Sequence, residues 1–291
     1  MPAESSWHIS EPQTLDFDGL VDELHVHLVG GAVNVVGSQE QGARIEVSEV
    51  KGPPLRVHRK GRALHVTYDG LPWHGFLKWL DRKNWQRRAV VSVSVPAVVR
   101  LSVNVVDASA VISGITGHAD VRGVSGDSTL VGLTGPVRAE TVSGNVETQS
   151  LTGHLRYNSV SGDLTVVDGA GSGVKADSVS GDMILDLGGR RSDGAGPTNV
   201  ALTTVSGEVA VRLPEHADLT VEASTAGGSV SSAFDELRVS GMCGAYSASG
   251  RLGAGGGRLR AQSVSGAVAL LRRPDDDLDS PDDAPSLVKD V

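Results

Sequence analysis

Residues 115–187 read ITGHADVRG, VSGDSTLVG, LTGPVRAET, VSGNVETQS, LTGHLRYNS, VSGDLTVVD, GAGSGVKADS, VSGDMILDL. Two half-units alternate in this tandem repeat. One opens Ile/Leu-Thr-Gly, at Ile115, Leu133 and Leu151; the other opens Val-Ser-Gly, at Val124, Val142, Val160 and Val179. The full unit is 18 residues long and slips by one at its last step. Self-similarity at a fixed period marks a repeat architecture, in which no unit buries its apolar face alone and stacked units bury a continuous core.

Within each half-unit the apolar residues fall at positions 1, 5 and 7, as in Leu151, Leu155, Tyr157 and Val160, Leu164, Val166. Alternation at positions 5 and 7 is the signature of a strand with one face buried. The Gly at position 3 is expected to supply a positive φ at a turn. Each half-unit is then one turn plus one short strand, and 18 residues make one coil of a flattened solenoid. Equivalent residues would stack about 4.8 Å apart, with Val124, Val142, Val160 and Val179 in one internal column. A sandwich of short antiparallel strands has similar spacing; the near-identity of successive units favours the solenoid. The expected fold is all-β: a parallel β-solenoid-like stack of 18-residue coils with an antiparallel N-terminal cap.

The flanks extend this reading. Leu24, Val26 and Leu28, then Gly30-Gly31, then Val33 and Val35 give a hairpin signal. Leu55 and Val57 pair with Leu64, Val66 and Tyr68 around Lys60-Gly61. These strands would cover one end of the solenoid, where unpaired backbone invites edge-to-edge association. Val95-Pro96 before Leu101, Val103 and Val105 matches Leu213-Pro214 before Leu219, Val221 and Ala223, so the chain is expected to enter a repeat block twice by one device. The last clear unit starts at Val264, and Pro274 to Val291 carries seven acids against Lys289, which predicts a disordered acidic tail. The expected divisions are 1–89 for N-terminal strands with a Trp-rich basic segment, 90–273 for the solenoid and 274–291 for the tail.

The chain has 291 residues, only 3% aromatic, and a formal net charge of −9. The tail holds −6 of it, so the body offers no broad field for nucleic acid. A single cysteine, Cys243, excludes an intrachain disulfide. The N-terminus shows no basic-then-apolar leader, and no 18-residue apolar run occurs, so a cytoplasmic, membrane-peripheral at most, location is expected.

Leu71 to Arg88 (LPWHGFLKWLDRKNWQRR) is the odd segment. It holds Trp73, Trp79 and Trp85, three of the four tryptophans, with Lys78, Arg82, Lys83, Arg87 and Arg88 against Asp81. Phe76 to Gln86 fits a short helix. These eight aromatic and basic residues are the interaction candidates, as an arm for an anionic surface or as a helix packed inward on the sheet.

The V-S-G-D/N/E units at Val124, Val142, Val160, Val179 and Val205, with V-P and L-P lead-ins at Pro96 and Pro214, resemble the bacterial adhesin-like β-strand-repeat proteins of the toastrack superfamily. The likeness covers roughly residues 15–272. It implies a non-enzymatic module linked to cell-envelope stress, and it carries no catalytic residues over.

No catalytic site is expected. Asp127, Asn145, Asp163, Asp182 and Glu208 share one position. Stacked carboxylates would attract a hard cation, but Asn145 interrupts the row and the glycines of calcium nonapeptide repeats are missing. Local Asx-turns are expected instead, with no metal and no cofactor. His118 and His154, two coils apart, are expected to be solvated turn residues, and His25 and His27 lack a third ligand. Cys243 has no His near it in sequence, and Gly253 to Gly257 lacks the Lys of a phosphate loop. The expected function is therefore a scaffold or interaction module. A protein partner or self-association comes first and an anionic membrane surface second. Nucleic acid and small-molecule substrates are disfavoured. A solenoid-type polysaccharide-active enzyme using Asp127 and Asp163 is the rival reading.

Overall fold

The computed structural model describes residues 4–68, 87–169, 173–188, 198–242 and 244–273. Among these residues every regular element is a strand. Parallel strands stack into two sheets that close a flattened solenoid around one apolar core.

The first sheet runs β6 (Ala63–Tyr68), the first half of β3 (Glu23–Ser38), the first half of β8 (Arg100–Ser113), then β9 (Ala119–Arg122), β11 (Val137–Thr141), β13 (Leu155–Ser159), β15 (Gly173–Asp177), β17 (Asn199–Thr204), β23 (Gly257–Ser263) and β19 (Leu219–Thr225). The second runs β7 (Arg88–Pro96), the second halves of β3 and β8, then β10 (Ser128–Val131), β12 (Val146–Gln149), β14 (Leu164–Gly169), β16 (Met183–Leu187), β18 (Val209–Leu213), β24 (Val268–Arg272) and β20 (Val230–Ser232). The all-β parallel stack expected from the repeat is the observed fold.

Antiparallel strands close both ends. At one end β5 (Leu55–Lys60) pairs with β6 and β1 (Glu4–Ile9) with β5, while β4 (Ala43–Lys51) pairs with β7 and β2 (Gln13–Phe17) with β4. At the other, β22 (Ala245–Leu252) pairs with β19 and β21 (Leu237–Met242) with β22.

Coil order departs from chain order twice, in the same way. The step from β7 to β8 spans the coil made by β3, and the step from β18 to β19 spans the coil made by β23 and β24. These steps are the two Pro-containing lead-ins, each closed by a turn: Val99 N–H donates to Pro96 O at 3.0 Å, and Ala217 N–H to Pro214 O at 3.2 Å. The shared motif therefore marks a skipped coil.

Three expectations are corrected. Gly30-Gly31 makes no hairpin: β3 continues through it, and Gly31, at φ 112°, turns the corner between sheets. The Val-Ser-Gly glycines lack positive φ. They are required by close approach instead, since a Cβ on Gly144, Gly162 or Gly181 would lie 2.2, 2.0 or 1.9 Å from the carbonyl oxygen of the glycine one coil before. Nor do the Val-Ser-Gly valines line the core: Val142, Val160 and Val179 are 37%, 51% and 50% exposed, and Val124 is half-buried. The inward place at that corner belongs to the residue before each valine. The hydroxyls of Thr141, Ser159 and Ser178 accept the N–H of Gly144, Gly162 and Gly181 at 3.0, 2.7 and 3.0 Å. At the other corner Ile115, Leu133 and Leu151 are buried.

Candidate functional site: a cationic cleft

The hydroxyls and carboxylates of the repeat are occupied in holding coils together. Ser143, Ser161 and Ser180 Oγ donate to the carbonyls of Val124, Val142 and Val160 at 3.1–3.2 Å. The Asp row does the same from the acceptor side. Asp127, Asn145, Asp163 and Asp182 each accept the backbone N–H of the next residue in the row, at 2.9, 3.1, 2.8 and 2.7 Å. The expected local Asx-turn is thus replaced by a bond to the next coil, because parallel stacking brings that N–H closer than any local one. Among the described residues no cluster of three or more His, Cys, Asp or Glu is placed to hold a metal ion.

A second set of polar side chains lies on the outer face of the first sheet. Alternation sends every second residue outward, and parallel register aligns these residues into columns. One column runs Ser102, Asp120, Arg138, Arg156, Lys175, Ala201, Arg260, Glu222. The next, nearer the strand starts, contains Gly173, Asn199 and Arg258 in β15, β17 and β23. Gly173 and Ala201 stand where their neighbours carry long side chains, and the dent they leave is a cleft of about 600 Å³. Its rim is His118, His154, Arg138, Arg156, Lys175, Asn199, Arg258 and Arg260; the alternate residues Val137, Leu155, Val174 and Val200 are buried in the core beneath it. Among the described residues no Asp or Glu lines it.

Two of these cations are engaged. Arg138 pairs with Glu140, which raises the guanidinium further and holds the half-buried carboxyl below its usual range against the cost of burial. Lys175 lies 3.9 Å from Asp177. Arg156, Arg258 and Arg260 make no ion pair among the described residues. The second sheet differs: its corresponding outward column, Thr129, Glu147, Thr165, Ile184, Ala210, Ala269, is almost free of charge.

Of the segment proposed from sequence, Trp73, Trp79, Trp85, Lys78, Arg82 and Lys83, with the short helix over 76–86, lie outside the described residues, as do Cys243 and the tail. Arg87 is described, with its guanidinium 5.7 Å over the Tyr68 ring, and Arg88 opens β7 opposite Lys51. His118 and His154, expected as isolated turn residues, lie on the cleft rim. Gly253 to Gly257 turns around an acid, since Gly256 N–H donates to Asp218 Oδ1 at 2.9 Å, which suits no phosphate.

A profile of the family described as Toastrack DUF4097 matches residues 21–270. The chain belongs to the Toastrack DUF4097 family. Solved structures that this toastrack chain resembles include a candidate cell adhesion protein from Clostridium sporogenes (15% identity, 94% of this chain and 100% of that one, TM-score 0.30). A candidate adhesin from Bacteroides fragilis shares 11% identity over 91% of this chain and 98% of that one, with a TM-score of 0.45. A candidate lipid-binding protein from Parabacteroides distasonis shares 11% over the same shares of the two chains, with a TM-score of 0.35. No curated protein matches.

Proposed function

We propose that this toastrack protein is a non-enzymatic interaction module, a stiff two-sheet stack that presents the outer face of its first sheet to an anionic partner. The observation that carries this reading is a cleft lined by cations and, among the described residues, by no acid, in a chain of net charge −9. Hydrolytic chemistry needs an acid–base or nucleophile–base pair beside a bound substrate. The carboxylates offered for a polysaccharide-active enzyme, Asp127 and Asp163, are instead occupied by the next coil's N–H groups and do not line the cleft. Work in the cytoplasm, or at the cytoplasmic side of an envelope, is part of this proposal. Among the described residues no helix is long and apolar enough to cross a membrane.

The test is binding set against turnover. Acidic polysaccharides incubated with the protein should be retained by it and recovered at their original length. Release of new reducing ends would replace the module with an enzyme.

A second contact is favoured by one further observation. β21 pairs with β22 on one side only among the described residues, and it exposes Val239 and Met242. A free edge strand with exposed apolar side chains is a template for β-pairing with another chain. The Trp73 to Arg88 segment remains a proposed arm for an anionic surface. Loss of vesicle binding on replacing Arg82 and Lys83 with Ser would support it, and unchanged binding would remove it.

A further inference from the structure

Arg138, Arg156 and Lys175 stand directly opposite one another on three successive strands, β11, β13 and β15. Like charges in direct cross-strand register destabilise a sheet. The neighbouring column shows that this repeat tolerates acids: Arg122, Glu140, Asn158 and Asp177 follow one another there. Arg122 and Glu140 pair at 3.0 Å. The cationic column is resumed at Arg260 after Ala201 and is stopped at both ends by acids, Asp120 and Glu222. It is thus a bounded row parallel to the stack axis. Four strand-to-strand steps separate β11 from β23, about 19 Å at the usual strand spacing.

We propose that this row, with Arg258 of the neighbouring column, binds a linear acidic polysaccharide laid across the strands, with carboxylate or sulfate groups on Arg156, Lys175, Arg258 and Arg260 and sugar rings against the methylene stems of these side chains. The inference rests on the module reading above and adds the class of partner. A row matches a ligand whose charges repeat along a line, whereas a compact anion would use one or two of these cations. Guanidinium groups bind carboxylate and sulfate in a forked geometry. Single-stranded nucleic acid is bound on aromatic platforms as well as cations, and among the described residues no Phe, Tyr or Trp lines the cleft. A bilayer surface needs exposed apolar side chains beside the cations. The exposed valines of the Val-Ser-Gly corners on these strands, Val142, Val160 and Val179, follow the ends of β11, β13 and β15, whereas the cleft lies toward their starts, and Val98, exposed before β8, is not among its lining residues.

The test uses the full chain and two probes, polygalacturonate and heparin, at low salt. At least one probe should bind. Its binding should strengthen with chain length, fall as salt rises, and weaken at least about tenfold in the Arg156→Ser, Lys175→Ser, Arg260→Ser variant, since a single charged hydrogen bond is worth roughly that factor. Ala201→Leu fills the dent and keeps every cation, so it should weaken binding while folding normally. Failure of both probes to bind, undiminished binding by the triple variant, or equal affinity for monomeric galacturonate overturns the proposal. Tighter binding through the same residues to single-stranded DNA or to phosphatidylserine vesicles also overturns it. Cleavage of a probe that still depends on these cations would instead keep the site and remove the non-enzymatic reading.

Discussion

At the scale of single residues, this fold is decided by distances between equivalent positions in adjacent coils. Gly162 is the sharpest case. A Cβ there would meet Gly144 O at 2.0 Å, so the rungs would have to part. Gly162→Ala should cost about 3 kcal/mol or more, at the upper end of overpacking changes. Gly132→Ala meets no atom within 4 Å and pays only for its φ of 62°, about 1 kcal/mol. Urea midpoints of the two variants check the ranking, and equal losses would refute close approach as the role of Gly162. The core shows the same logic in its side chains. Tyr157 is fully buried between Ala139 and Ala176 on the flanking strands, and its hydroxyl donates to Gly162 O at 2.6 Å. Burial pushes its phenol, like that of Tyr68, up to about 12. Thr148 is the opposite case, fully buried between Leu130 and Val166 with a hydroxyl that has no hydrogen-bond partner among the described residues. An unpaired buried hydroxyl is destabilising. Thr148→Val should therefore stabilise by about 1 kcal/mol, read as a higher urea midpoint at unchanged m-value; a lower midpoint would contradict it.

At the scale of elements, the ends of the stack carry the most exposed liabilities. On β3, β6 and β5 the rings of His25, His65 and His58 stack in a row, with centroids 4.7 and 4.4 Å apart. Facing them are His27 on β3, Glu23 with its carboxylate 3.6 Å from His25, Arg100 of β8 on that same carboxylate, and Lys60 of β5. Burial first, then neighbouring imidazoles, lowers His65 to about 3 and His27 to about 4, from 6.5. The folded state thus favours the neutral rings. Their contribution to stability is whole above pH 6.5 and is lost as pH falls from there toward 3. The thermal midpoint should drop on acidification through this window, and His65→Gln should flatten the drop; a profile unchanged by that variant would show that the stack has no part in it. At the other end, the free edge of β21 predicts association through Val239 and Met242. Val239→Lys should lower any concentration-dependent sedimentation, and unchanged sedimentation of an associating protein would place the contact elsewhere. Element by element, the strands with strict alternation were readable: β5, β6 and the repeat strands all fall where the pattern puts them. The caps β1, β21 and β22 were not, because they bury few side chains and so show little periodicity.

At the scale of the whole molecule, the sequence period determines the stack but not the order of its coils. Local units specify their own turns and strands, whereas insertion of β3 and of β23–β24 depends on contacts distant in sequence. Only the repeated Pro lead-in hinted at it. The candidate site was hidden for a related reason. Its residues come from outward positions of alternate half-units, and their alignment appears only once the two sheets are separated. His118 and His154 were visible as a pair, but Arg156, Lys175 and Arg260 had no motif to single them out. The central claim is that this row of cations is kept for binding and not for folding. The most direct measurement is the thermal midpoint of Arg156→Ser, Lys175→Ser against the unaltered protein, without ligand, across a salt series. Relief of like-charge register should make the variant more stable at low salt, by about 0.5–1 kcal/mol, and the gap should close as salt screens the charges. A variant less stable than the parent at low salt would mean that the row supports the fold, and would contradict the account.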